Sequence, residues 1–151
     1  MSDLKVVNFK IGQEEYAIDI MKVDSIVPVE KILRIPDSPP SVEGLMDFRG
    51  TAIPVINGRK KFSSGGDFGK AVRAIVVNSG NKKVGILVDE VKEVISLSQR
   101  SLEEPPIEIS TDVNRYIGAI SNSEGRMIII LDVDKILSER EVAQLSNEVI
   151  R

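Results

Sequence analysis

The segment Gly12-Gln13-Glu14-Glu15-Tyr16-Ala17-Ile18 has a near twin in Gly80-Asn81-Lys82-Lys83-Val84-Gly85-Ile86. Each opens on a glycine, passes through polar residues and enters an apolar run that alternates. At the same offset of 68 residues Ile20 meets Val88, Val23 meets Val91 and Ile26 meets Val94. A second pair lies further on. Gly50-Thr51-Ala52-Ile53-Pro54-Val55-Ile56-Asn57 matches Gly125-Arg126-Met127-Ile128-Ile129-Ile130-Leu131-Asp132 at an offset of 75, with Lys60 over Lys135 and Phe62 over Leu137. The seven extra residues fit the polar, proline-bearing stretch Ser98–Asn114. Internal recurrence of this kind predicts two similar modules, about 1–72 and 73–137, packed together.

The modules read as β. Val7, Phe9 and Ile11 alternate with Asn8 and Lys10; after the turn Gly12-Gln13, Tyr16, Ile18 and Ile20 alternate with Ala17 and Asp19, which predicts a hairpin. Ala52–Ile56, Arg73–Asn78, Val84–Val88, Tyr116–Ser121 and Arg126–Leu131 are further strand segments. Many short strands with frequent turns predict small barrels or a sandwich. The clearest helix signal is a tail over 138–150. There Ser138 and Glu141 form a capping-box pattern ahead of Val142, Leu145 and Val149. Ile35–Ser41, with three prolines, and Ser63–Gly69 read as connections, the first stiff and the second mobile.

Composition excludes most catalytic chemistry. The 151 residues include no cysteine and no histidine, so thiolate nucleophiles, disulfides, serine–histidine triads, imidazole metal ligands and a histidine phosphoacceptor are absent together. A net charge of −3 argues against a general nucleic-acid binder. The apolar run Met127–Leu131 is too short to span a bilayer, and Met1–Lys5 has no signal-peptide character, so a cytoplasmic protein is expected.

Suggestive motifs fail on their spacing. Gly65-Gly66-Asp67-Phe68-Gly69-Lys70 lacks the first P-loop glycine, since Ser64 stands there, and Ala71 replaces the magnesium-binding hydroxyl. Asp67-Phe68-Gly69 has none of the motifs that accompany a kinase DFG. Asp132-Val133-Asp134 runs into Lys135 and Ile136 rather than an EF-hand loop, and reads as the end of a strand and the start of a helical turn. Asp19, Asp89 and Glu90 read as solvated strand-edge or turn residues, and Arg59-Lys60-Lys61-Phe62 as a solvated helical face. No metal or cofactor is expected.

Several segments together resemble the bacterial chemotaxis coupling proteins of the CheW family. They are Glu14–Ile20 with Val23; Val42-Glu43-Gly44-Leu45 leading into Arg49-Gly50; Ile53-Pro54-Val55-Ile56; Val88-Asp89-Glu90-Val91; and Gly125-Arg126 before Met127–Lys135. The resemblance runs from about Val6 to Leu145. It implies a single CheW-like domain over 1–151, all-β, made of two packed five-stranded SH3-like barrels with a short C-terminal helix. It also implies a non-enzymatic adaptor that joins the cytoplasmic tips of methyl-accepting chemoreceptors to the regulatory domain of the histidine kinase CheA. A related coupling module of the receiver-fused type is the alternative within the family. An SH3- or OB-like nucleic-acid binder would need a basic aromatic face that the sequence does not offer.

The resemblance carries receptor contact onto Val23, Gly44 and Arg49, with Ile20 and Ile26 flanking the first; it leaves the kinase-contact residues open. Glu124 stands opposite Arg49 at the offset of 75, so the fold itself does not demand arginine there. The family often carries an acidic residue where this chain has Ser25. Its strand usually ends Pro-Val-Ile-Asp-Leu, whereas Pro54-Val55-Ile56 is followed here by Asn57-Gly58, which is expected to weaken the turn into the next helix. With no phosphate-cradling loop and no ligand set, ATP should bind no better than a non-specific anion. Calorimetry is expected to give no saturable, magnesium-dependent heat, and such a heat would refute the reading.

Overall fold

The computed structural model describes residues 3–29, 31–37, 39–62, 72–104 and 116–136. The expected tail helix over 138–150, the Ser63–Gly69 connection and the Ser98–Asn114 stretch beyond Glu104 lie outside them. The described chain is built of strands: β1 (Leu4–Ile11), β2 (Glu14–Asp19), β3 (Val23–Pro28), β4 (Val42–Phe48), β5 (Thr51–Asn57), β6 (Arg73–Ser79), β7 (Lys82–Val88), β8 (Glu90–Leu97), β9 (Leu102–Glu103), β10 (Ile117–Ser123) and β11 (Arg126–Leu131). One short helix, α1 (Gly58–Lys61), follows β5, and 3₁₀ turns occupy Ile20–Lys22, Gln99–Ser101 and Val133–Lys135. The expected strands are present: β1 begins three residues before Val7, the other ends move by at most two residues, Arg126–Leu131 matches, Ile20 lies in the 3₁₀ turn after β2, and Tyr116 lies just before β10. Strands β3, β4 and β8 are not among them: β3 and β8 bury few of their side chains, and β4 alternates in burial but places a glycine at one of its buried positions.

The strands form two sheets, in the orders β8-β1-β2-β11-β10-β9 and β3-β6-β7-β5-β4. These are the two SH3-like barrels; the first counts six strands rather than five because the two-residue β9 adds to β10. Strands 68 or 75 residues apart hold the same rank in the two sheets: β1 with β6, β2 with β7, β3 with β8, β4 with β10 and β5 with β11. The agreement reaches the backbone. Gly12 and Gly80 both have φ of +62°, Arg49 and Glu124 both +52°, and Gly50 and Gly125 +85° and +84°. The last four make two hairpin loops with both central residues at positive φ, the pattern of a type I′ turn.

Each sheet, however, is assembled from both halves of the chain. Hairpin β1–β2 sits beside β8, β10 and β11, and hairpin β6–β7 beside β3, β4 and β5. Connector length explains the exchange. β7 and β8 are joined by Asp89 alone. In either sheet the strand beside the hairpin's first strand runs antiparallel to it, hence parallel to the hairpin's second strand, so β8 in the matching slot beside β6 would run parallel to β7. To return to its own sheet, Val91 would have to reach a slot about 17 Å from Val88, two strand spacings aside and four residues back. Three residue steps cover at most about 11 Å. A parallel crossover of that kind needs a dozen residues, so the chain passes to the other sheet instead.

Exchange gives β6 and β7 two buried faces. Along β6, Ala74 and Val76 fill the second barrel with Met46, Phe48, Ile53, Val55 and Leu87, while Ile75 and Val77 face a larger core between the sheets. That core also gathers Phe9, Ile11, Tyr16, Ile18, Ile56, Val84, Ile86, Val88, Leu131, Val133 and Ile136. The first barrel's own interior is smaller, with Val6, Ala17, Leu97, Ile128 and Ile130. Aromatic rings line up through the junction: Phe9 to Tyr16 at 6.0 Å, Tyr16 to Phe62 at 5.2 Å and Phe62 to Tyr116 at 5.1 Å. Burial there pushes the Tyr16 hydroxyl up to about 12.

Polar groups secure the turns. Asp89 is not solvated: its carboxylate accepts from the Gly12 amide (2.7 Å) and from Arg59 (2.6 and 3.0 Å), with both side chains about four-fifths covered. Arg59 and Phe62 therefore turn inward, and only part of α1 is the solvated face expected. Asp132 ends β11 and caps the following turn, accepting from the Asp134 amide at 3.1 Å. Asn57 likewise caps α1, accepting from the Lys60 amide at 3.1 Å while its Nδ2 donates to Glu43 at 2.7 Å. The Asn57-Gly58 pair thus keeps the turn, and a side chain at Gly58 would run into the Leu87 carbonyl and Ile11 Cδ1.

Buried Asn8 donates to the Tyr16 carbonyl (3.0 Å) and accepts from Arg126, which also grips Glu15 (2.8 and 3.1 Å). The guanidinium, helped by Lys92, lowers the Glu15 carboxyl from 4.5 to about 2. A depressed carboxyl adds stability above its unfolded value and loses it as pH falls. Unfolding titrations should therefore show the wild type losing stability relative to Glu15→Gln between about pH 4.5 and 2, with the difference constant above that window. An unchanged difference down to pH 2 would contradict it.

Candidate interaction site at the β3 edge

Strand β3 is an edge of the second sheet and β4 is the other edge. The loop Arg49-Gly50 closes the distance between them. Held at φ +52°, Arg49 lays its guanidinium 4.7 Å from the Phe48 ring centroid. Its Nη2 donates to Ser25 Oγ at 2.9 Å and its Nη1 lies 3.4 Å from Asp24 Oδ1. The side chain is still 70% exposed. Lys83 from β7 holds the other oxygen of Asp24 at 2.6 Å, and these partners pull the Asp24 carboxyl below its ordinary value, Lys83 first.

The expected residues therefore fall into three situations. Ile20, on the turn entering β3, and Ile26, within it, are exposed at 36% and 43%. Val23 is half-buried and packs against the core between the sheets, so only part of it faces outward. Gly44 is buried. Its φ of +147° and its abutment on the Leu33–Arg34 backbone allow the paired bonds between Leu33 and Leu45, both 2.8 Å. Any part it has in an interface is through that backbone. Arg49 is brought beside β3, and hence beside Val23 and Ile26; Gly44 is beneath, in β4.

Sequence reasoning missed Met21 and Leu33, exposed at 82% and 63%, the most open large apolar side chains among the described residues. Met21 was legible as the neighbour of Ile20; Leu33 was hidden because its partner across Gly44 is known only from the fold. Val27, Pro28, Lys31, Met46, Asp47, Phe48 and Arg49 line an open groove of about 360 Å³. Ser25, where the family often has an acid, accepts from Arg49 directly, with the carboxylate supplied one position earlier by Asp24. Exposed apolar side chains beside a cation, with no cluster of three metal-ligating residues among those described, form a surface suited to binding another protein.

A family model, the CheW-like domain, matches residues 5–141. The chain belongs to the CheW-like domain family. A chemotaxis protein CheW of Klebsiella aerogenes is 35% identical over 140 residues, 92% of this chain and 84% of that one. One from Treponema pallidum is 33% identical, covering 95% and 87%. The crystal structure of a CheW scaffolding protein from Thermoanaerobacter tengcongensis superposes with a TM-score of 0.83 at 33% identity, covering 92% of this chain and 95% of that one. The protein is accordingly a chemotaxis adaptor of the CheW kind, the general role of which is to couple receptors to the kinase CheA. No helix among the described residues is long and apolar enough to cross a membrane.

Gly44 offers a test of what is scaffold in this site. Alanine there meets the Leu33 carbonyl at a backbone angle that L residues avoid. Gly44→Ala should cost about 2–5 kcal/mol in urea unfolding and weaken every partner alike. A stable variant with one partner selectively lost would mean that Gly44 itself is a contact.

Proposed function

We propose that this CheW-like chain acts in the cytoplasm, without catalysis, as the joint between two proteins: the cytoplasmic tip of a methyl-accepting chemoreceptor and the regulatory domain of the histidine kinase CheA. We read 1–151 as one domain whose halves, about 1–72 and 73–137, are interleaved. The receptor surface is formed by Ile20, Val23, Ile26 and Arg49, with Gly44 supporting it from below. The observation that carries this reading is Arg49, whose donor fork stays largely exposed while Ser25, Asp24 and Phe48 fix its position beside the apolar side chains of β3. A preorganised guanidinium next to exposed isoleucines can meet an acceptor on a helical partner while the apolar side chains exclude water around it.

Arg49→Ala is the discriminating substitution. Its bonds are exposed, so the melting temperature should move little, by the equivalent of about 1 kcal/mol or less. Titration against a receptor cytoplasmic fragment should lose about 1–3 kcal/mol, and titration against the kinase regulatory domain should be nearly unchanged. Equal weakening of both partners would remove Arg49 from the receptor surface.

A further inference from the structure

The two barrels carry the same ion pair across a strand with its charges reversed, and an arginine stands beside each. In the first sheet Glu15 of β2 reaches Lys92 of β8 across β1, at 3.2 Å, and Arg126 of β11 joins it at 2.8 Å. In the second sheet Lys83 of β7 reaches Asp24 of β3 across β6, at 2.6 Å, and Arg49 joins at 3.4 Å. Glu15 and Lys83 are equivalent at the offset of 68, and so are Asp24 and Lys92. Asp24 and Lys92 are also the extra residues of two matching bulges, at Val23/Ser25 opposite β6 and at Val91/Glu93 opposite β1. A bulge turns its extra side chain out of the strand's alternation, which is how each crosses the intervening strand.

The signs make sense only for exchanged halves. If hairpin β1–β2 entered the second barrel, Glu15 would face Asp24. If hairpin β6–β7 entered the first, Lys83 would face Lys92 and Arg126. Both native pairings are attractive and both alternatives repulsive. The apolar alternation of the two hairpins is alike, Tyr16 and Ile18 against Val84 and Ile86; buried Asn8 against Val76 and Phe9 against Val77 add differences of polarity and size to those of charge. Within one chain the short connectors forbid the wrong insertion. Between two copies they do not, because a hairpin of one chain can enter the barrel of another. We propose that the reversed ion pair is a recognition code that admits each hairpin only to the barrel built by the other half. It thereby keeps neighbouring copies from exchanging hairpins into mismatched barrels.

The chain has no cysteine, so introduced pairs report strand neighbours cleanly. Lys5→Cys with Ser96→Cys marks the native β1–β8 pairing, since these positions are Cα partners. Lys5→Cys with Pro28→Cys marks the mismatched one, Pro28 being the equivalent of Ser96. In a background carrying Arg49→Gln and Arg126→Gln, which serves as the wild-type reference and leaves only the Glu15–Lys92 and Lys83–Asp24 pairs, Asp24→Lys with Lys92→Glu inverts the code; adding Glu15→Lys and Lys83→Glu restores attraction in the native pairing. After refolding at low salt, the inverted variant should raise the ratio of 5–28 cross-links between chains to 5–96 cross-links within a chain by about tenfold, the scale of two exposed pairs changing sign. The fourfold variant should return the wild-type ratio, and high salt should shrink the effect. Should the inverted variant fail to fold, recovery of the 5–96 cross-link in the fourfold variant supports the code. A wild-type ratio in the inverted variant, or no recovery in the fourfold variant, overturns it.

Discussion

The apolar layer between the two barrels is the interaction on which the rest of the structure depends. Neither barrel holds a large interior: one is filled by Val6, Ala17, Leu97, Ile128 and Ile130, the other by seven residues centred on Val55 and Val76. The residues between them, from Phe9 and Ile18 on one side to Ile75 and Ile86 on the other, form a larger cluster than either. Burial scales with apolar area removed from water, so most of the driving force comes from joining the barrels rather than from filling each one. Small five-stranded units of this kind would be marginal alone.

That layer is fixed in geometry by the exchange of hairpins. Because β1–β2 and β6–β7 each belong to the other half's sheet, separating the two halves of the chain would mean unpairing strands, and parting the barrels would strain connectors as short as Asp89. Asp89 reinforces the crossing. As the single residue between β7 and β8, it also holds the Gly12 turn and Arg59. An adaptor that must present two surfaces at a constant angle benefits from such a junction, since the angle is set by short connectors and a close-packed core.

The candidate interaction site shows how the same scaffold carries function at its edges. Arg49 and Glu124 share a backbone conformation imposed by the hairpin turn, but only Arg49 meets an acid and a hydroxyl across the gap between β3 and β4. The turn is a requirement of the fold and the side chain is free to vary. Gly44 is the opposite case, a residue whose identity is set by the approach of the Leu33 backbone. The sequence groups the two in one surface; the fold leaves Arg49 exposed and Gly44 buried beneath it.

Much was legible in the chain itself. Period-two alternation placed the first hairpin and its Gly12 turn, and the offsets of 68 and 75, with their shared glycines, paired strands that do hold equal rank in the two sheets. These are local properties: side-chain alternation and turn angles depend on neighbours in sequence. The absence of histidine and cysteine narrowed the chemistry in the same way. What the sequence did not reveal was which strands pair, that Asp89 and Arg59 are inward and joined, that Gly44 is covered, and that Leu33 and Met21 are open. Each of those depends on a partner tens of residues away. Periodicity says that a residue has a buried face without saying what buries it. The single-residue connector at Asp89 held the answer to the strand exchange, but only once the direction of β6, β7 and β8 was known, and direction is a property of the assembled sheet.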